Sequence, residues 1–146
     1  MKNARLRQPL DAEYAQALGE AAFVFSILEW NAIWACERIK PGSINELNPK
    51  TAGAIAKRLL LLADGLAEHP DRTEFMLCAQ KFSELVEHRN GLMHGRPGTD
   101  SSDQKAKLFR NGEAWTAQKI QDIANEFSEC SIQLNKHLHG FLKAVR

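Results

Sequence analysis

An arginine, an asparagine and a histidine stand within one hexad, Arg89-Asn90-Gly91-Leu92-Met93-His94. A fixed cation and a titratable imidazole this close together suit work on a phosphodiester. The planar guanidinium clamps a phosphate and stabilises negative charge that develops in the transition state. The imidazole takes a proton from an attacking hydroxyl or gives one to the leaving oxygen, each role being worth roughly 10²–10⁴-fold in rate. RNA carries its own nucleophile, the 2′-hydroxyl, beside every phosphodiester, so such a pair has a reaction open to it without a metal. Asn90 is placed to orient the imidazole or to donate to a phosphate oxygen. Arg89, Asn90 and His94 are therefore the candidate catalytic residues.

The hexad must be held by a helix. Phe75, Cys78, Phe82, Leu85 and Leu92 recur at helical spacing, and Arg89 occupies the position that should continue their apolar stripe. A guanidinium on an apolar face needs an anion, from the protein or from a ligand. The plain alternative is a structural ion pair with Glu29, leaving His94 a polar helix-end residue without a duty. Residues five apart on a helix diverge by roughly 140°, so Arg89 and His94 converge only if the helix breaks near Gly91 or if a two-fold axis brings two hexads together.

Arg89, Asn90 and His94 fill the three fixed places of a pattern that resembles the signature of the HEPN superfamily (higher eukaryotes and prokaryotes nucleotide-binding): an Arg, a polar residue, variable positions and a His in a small all-helical domain. The resemblance implies a metal-independent endoribonuclease acting as a homodimer, with the composite, two-fold arrangement of the site. By family analogy it further implies a toxin role, with an antitoxin or a nucleotidyltransferase as partner, and a polar residue of the first helix, Glu29 or Asn31, beside the motif arginine. Superfamily members that do not cleave leave a second reading open, a helical dimerisation or binding module for a partner protein or a nucleotide.

With 146 residues, 44% of them hydrophobic, the chain fits one domain, residues 1–146, with a substantial core. Its 19 basic and 18 acidic side chains give a net charge of +1, which excludes a global field for nucleic acid. Contact with a nucleic-acid backbone must be local, and Arg96, Lys105, Lys107 and Arg110, just after the hexad, form a candidate basic rim, with Arg96, Lys107 and Arg110 as its substrate-binding members. The basic stretch from Met1 to Gln8 lacks the apolar centre of a secretory signal and no run is long enough for a membrane span, so a cytoplasmic protein is expected. Cys36, Cys78 and Cys130 are odd in number and lie in apolar helical patterns, reading as reduced core thiols. Glu84 with His88, and His137 with His139, match no zinc spacing; no metal site or cofactor is expected.

The expected architecture is all-α, an antiparallel bundle of about four helices with a short β-hairpin before the last. The first helix runs from an N-cap near Asp11 to Pro41-Gly42 and is apolar on two opposed faces. Phe23, Ile27, Trp30 and Trp34 line one face; Leu18, Ala21, Phe25, Leu28 and Ala32 line the other. So short a chain has few helices with which to cover both, and a second copy is the simplest cover. The second helix is expected from an Asn48 N-cap and Pro49 towards Ala67, and the third from Asp71 with a capping-box partner at Glu74, ending at a Gly95 cap. Residues 98–103 read as a mobile loop and Asn111-Gly112 as a hairpin turn. The last helix opens at Thr116 and carries Ile120, Ile123, Phe127, Leu134, Leu138, Phe141 and Val145 inward.

Overall fold

A computed structural model describes residues 9–144; Val145 and the stretch from Met1 to Gln8 lie outside the described residues. In order come α1 (Ala12–Ile39), a short α2 (Ser43–Leu47), α3 (Ala52–Asp64), α4 (Arg72–Met93), the strands β1 (Arg96–Asp100), β2 (Lys105–Arg110) and β3 (Glu113–Trp115), then α5 (Ala117–His139) and a closing 3-10 turn at Phe141–Lys143. The fold is thus mainly helical, with a small antiparallel sheet of order β1-β2-β3 between α4 and α5. No helix among the described residues is long and apolar enough to cross a membrane.

α1 is the spine. It packs along α5 and against α3, burying Tyr14, Ala21, Phe25, Leu28 and Ala32, while Phe23, Ile27, Trp30 and Trp34 on the opposite face are exposed. Phe25 is wedged between Phe82 of α4, stacked at 6.3 Å between ring centroids, and Phe127 of α5, edge-on at 5.0 Å. Burying one such ring contributes about 1.5–3 kcal/mol, so this triad fixes how the three longest helices meet. The inward residues of α5, from Ile120 to Leu138, and Phe141 beyond it are buried as their spacing requires. Cys36, Cys78 and Cys130 are free and buried, and Cys78 and Cys130 face each other across α4 and α5, each Sγ lying within 4 Å of the other's carbonyl oxygen (3.9 and 3.8 Å).

Four expected local features differ from the structure. Asn48 closes α2 as its C-cap, and α3 instead starts after Thr51, whose hydroxyl accepts from the Ala54 amide at 3.2 Å. The Asp71–Glu74 capping box does not form: Asp71 makes no side-chain cap and its own amide donates to His69 Nδ1 at 3.1 Å. Gly95 is not a left-handed cap. A Cβ there would stand 3.0 Å from Leu108 Cβ and 3.1 Å from the Leu92 carbonyl oxygen, so the residue is small because the sheet presses on the helix end. Half of the expected loop at 98–103 is strand, because Arg96–Asp100 pairs with Lys105–Arg110, Arg96 opposite Phe109 and Asp100 opposite Lys105, and only the turn at 101–104 remains between them. β1 is an edge strand, where Pro97 costs no ladder donor.

The Asn111-Gly112 turn forms as expected, with positive φ at both residues (53° and 81°), the demand of a type I′ hairpin. Thr116 caps α5, accepting from the Lys119 amide at 3.1 Å. What ties the sheet to the bundle is Tyr14, whose hydroxyl donates to the Trp115 carbonyl oxygen at 2.6 Å and accepts from the Leu108 amide at 2.9 Å. Burial pushes its phenol pKa above the ordinary value, which keeps the donor protonated.

Tyr14→Phe keeps the ring and strands both backbone partners, and is expected to cost about 1–3 kcal/mol in chemical denaturation. Hydrogen exchange should show the gain in opening concentrated at the Leu108 amide; a loss spread evenly over the helices would contradict this anchoring role.

Candidate functional site

Arg89 leaves the last turns of α4 towards α1, and its guanidinium carbon lies 5.2 Å from the centre of the Phe25 ring. Such a contact contributes about 0.5–2 kcal/mol according to how dry it is. Glu29, one turn further along α1, feels the guanidinium: burial pushes its carboxyl pKa up, and the positive charge of Arg89 pulls it back down. Among the described residues, however, Arg89 forms no ion pair with Glu29 or any other carboxylate. Its one hydrogen bond runs from Nη1 to Asn90 Oδ1 at 3.1 Å. The other guanidinium donors have no acceptor within the described residues and remain open to water.

Asn90 therefore orients the guanidinium rather than the imidazole, and its Nδ2 donors have no described partner. His94 caps α4 through its backbone, its amide donating to the Asn90 carbonyl oxygen at 2.9 Å, while its side chain is exposed and makes no hydrogen bond to a described residue. The helix does not break at Gly91. α4 runs through to Met93, so within one chain Arg89 and His94 leave the axis about 140° apart. Gly91 is buried for another reason: its carbonyl oxygen accepts from Trp115 Nε1 at 3.3 Å, and a Cβ in its place would lie 3.7 Å from the indole and 3.9 Å from Arg110 Cγ.

Of the expected flanking residues, Glu29 lies by the arginine and Asn31 does not. Two positions apart on a helix means about 200° of rotation, and Asn31 turns to α5, donating to Ser131 Oγ at 2.7 Å. The basic rim is likewise divided. Arg96 and Arg110 are exposed, Arg110 stacked by its stem over Gly91, but Lys107 departs from the expected role: it is clamped between Asp100 and Asp103, at 2.7 and 2.6 Å, with its side chain only 10% exposed. Its charge is spent on those carboxylates, and its hydrogen bond holds the Asp100 pKa down to about 2. Lys105 lies 3.6 Å from Asp11. His137 is buried against Phe75 and His139 is exposed, so they share no site, and no group of three metal-ligating side chains occurs among the described residues.

The sequence pattern missed Trp115. Its indole is the support behind Gly91 and part of the wall of a cavity of about 560 Å³ between the hairpin and α5. An apolar residue just before a helix N-cap signals only a packing contact; its bond to a main-chain carbonyl leaves no trace in spacing. Compared with known proteins, the chain matches no family model, no curated protein and no solved structure.

His94→Ala removes an exposed, unbonded side chain and should change stability by no more than about 0.5 kcal/mol. Arg89→Ala should cost more, about 1–2 kcal/mol near neutrality, by exposing the Phe25 ring and removing the cation near Glu29. The folded-state pKa of Glu29 is already raised, so the folded state holds its proton more tightly than the unfolded chain, and losing Arg89 raises that pKa further. The Arg89→Ala penalty should thus shrink as pH falls and Glu29 becomes protonated, measurable as thermal melts of both proteins from neutral to acidic pH. A penalty independent of pH would show that the two groups are not coupled.

Proposed function

We propose that the chain is a HEPN-like, metal-independent endoribonuclease working as a homodimer. The observation that carries the reading is a guanidinium held at a helix end with most of its donors free of any described partner, five residues before an exposed, unbonded imidazole. A guanidinium held against an aromatic ring, with donors facing water and no carboxylate to neutralise it, has its charge and its planar fork available to an anion.

The divergence of Arg89 and His94 along one helix supports the composite form of the site, in which hexads from two copies surround one phosphate. α1 supplies the means. Phe23, Ile27, Trp30 and Trp34 are 68%, 45%, 45% and 38% exposed, and the stretch that bears them also carries Phe25 and Glu29, the neighbours of Arg89, on its flank. Exposed aromatics at helical spacing on one stripe call for a partner. In the reaction one His94 takes the proton of the 2′-hydroxyl, the 2′-oxygen forms a bond to phosphorus, and the bond from phosphorus to the 5′-oxygen breaks, that oxygen receiving a proton from the second His94. Arg89 and Asn90 stabilise the charge on the non-bridging oxygens. Exposed Arg96 and Arg110 are then the remaining candidates for contact with the backbone on either side.

The same divergence favours a second reading if no dimer forms: a module that binds an anionic partner at Arg89 and does not cleave. An association with an antitoxin or nucleotidyltransferase belongs to the first reading and rests on the HEPN resemblance.

Incubated with single-stranded RNA in EDTA, the protein should leave a 2′,3′-cyclic phosphate or 3′-phosphate on the upstream fragment, and 2′-deoxyribose at the scissile position should block cleavage. Cutting of the deoxy substrate would sink the mechanism. Trp30→Glu should yield a folded monomer by light scattering; unfolding instead would mean that the face is core, and an undisturbed dimer would place the interface elsewhere.

A further inference from the structure

We propose that the cleft between the hairpin and α5 is a binding site for a guanine base of single-stranded RNA, a proposal that rests on the ribonuclease reading and adds a base preference to it. The cavity, about 560 Å³, is of a size that takes a nucleotide. Trp115 lines it, and because its Nε1 is committed to the Gly91 carbonyl oxygen the ring is held in one orientation as a stacking platform. That bond ties the cleft to the helix of the hexad, on the side of α4 about 200° round from Arg89, so a base seated there belongs to a stretch of RNA that passes round the helix end rather than to the nucleotide at Arg89.

The polar lining selects among bases. The side chain of Glu113 on β3 makes no hydrogen bond or ion pair with a described residue, and Asp122 on α5 has one oxygen occupied by Gln118 at 2.8 Å and the other without a described partner. Carboxylates are acceptors only. Guanine presents two adjacent donors, N1–H and the N2 amino group, which one carboxylate receives together; uracil, cytosine and adenine place an acceptor beside their donor and meet a repulsion there. Arg110 and Lys119 line the same cleft and supply the cations for the sugar-phosphate chain.

Calorimetric titration with the 5′-monophosphates tests this. GMP should bind saturably and UMP, CMP and AMP more weakly by roughly ten-fold or more, the discrimination expected of a bidentate pair. Glu113→Gln with Asp122→Asn, both surface changes, should remove the preference. Trp115→Phe keeps an aromatic platform and should retain binding, whereas Trp115→Ala should weaken it about 5- to 150-fold, the range of one base–aromatic stack. Should Trp115→Ala fail to fold, the carboxylate variants still decide. Equal affinity for the four nucleotides, or a preference that survives the double carboxylate variant, overturns the proposal. A uridine-rich oligonucleotide with a single guanosine should bind more tightly than GMP; equal affinity would overturn RNA as the source of the base. GMP selectivity in a protein that cuts no RNA would retain the guanine site and remove the ribonuclease reading, while cleavage without selectivity would do the reverse.

Discussion

A helix that is apolar on two opposed faces cannot satisfy both inside a bundle this small, and α1 is such a helix. Its inner face draws Phe82 and Phe127 onto Phe25 and so sets the relation of α4 and α5 to the rest. Burial of those rings is worth several kcal/mol and outweighs anything the surface polar contacts contribute. The outer face is left with two tryptophans, a phenylalanine and an isoleucine in water. The centre of the core and the exposed apolar stripe are therefore carried by one element, and the arginine of the hexad rests on its flank.

The positioning of that arginine is indirect. Phe25 supplies a ring that is itself fixed by two others, Asn90 supplies an oxygen, and Glu29 supplies a field without a contact. A close ion pair would have neutralised the guanidinium; a ring and an amide hold it without consuming its charge. From the other side the hairpin buttresses the helix end. Tyr14 pins β2 and β3 to α1, Trp115 reaches Gly91, and Gly95 admits Leu108 against the last turn. The sheet is a brace that keeps His94 at the end of a straight helix.

The features legible in the sequence are those with a period or a local stereochemical demand. The two stripes of α1, the inward line of α5 and the Asn111-Gly112 turn could be read directly, because helix geometry and positive φ each restrict residue choice. The features that were not legible depend on partners distant along the chain. Arg96-Pro97-Gly98-Thr99-Asp100 has the composition of a loop and becomes a strand only because β2 offers its free edge. Lys107 reads as a free cation until the turn folds Asp100 and Asp103 around it. Asn48-Pro49 is an attractive helix start, yet Asn48 is already committed to α2. For the site, residue identity named Arg89, Asn90 and His94, but the turn of Asn31 towards Ser131 and the support from Trp115 required the packed helices.

Arg89 and His94 cannot meet on one straight helix, so the central claim is that two chains share the work. Mixing tests it most directly: wild-type protein is co-refolded with an excess of His94→Ala protein, so that nearly every intact chain sits in a heterodimer, and RNA cleavage is measured per intact chain. The reaction takes one His94 from each chain, one as base and one as acid, so cleavage per intact chain should collapse. Heterodimers that cut as fast per intact chain as the wild-type dimer would contradict it.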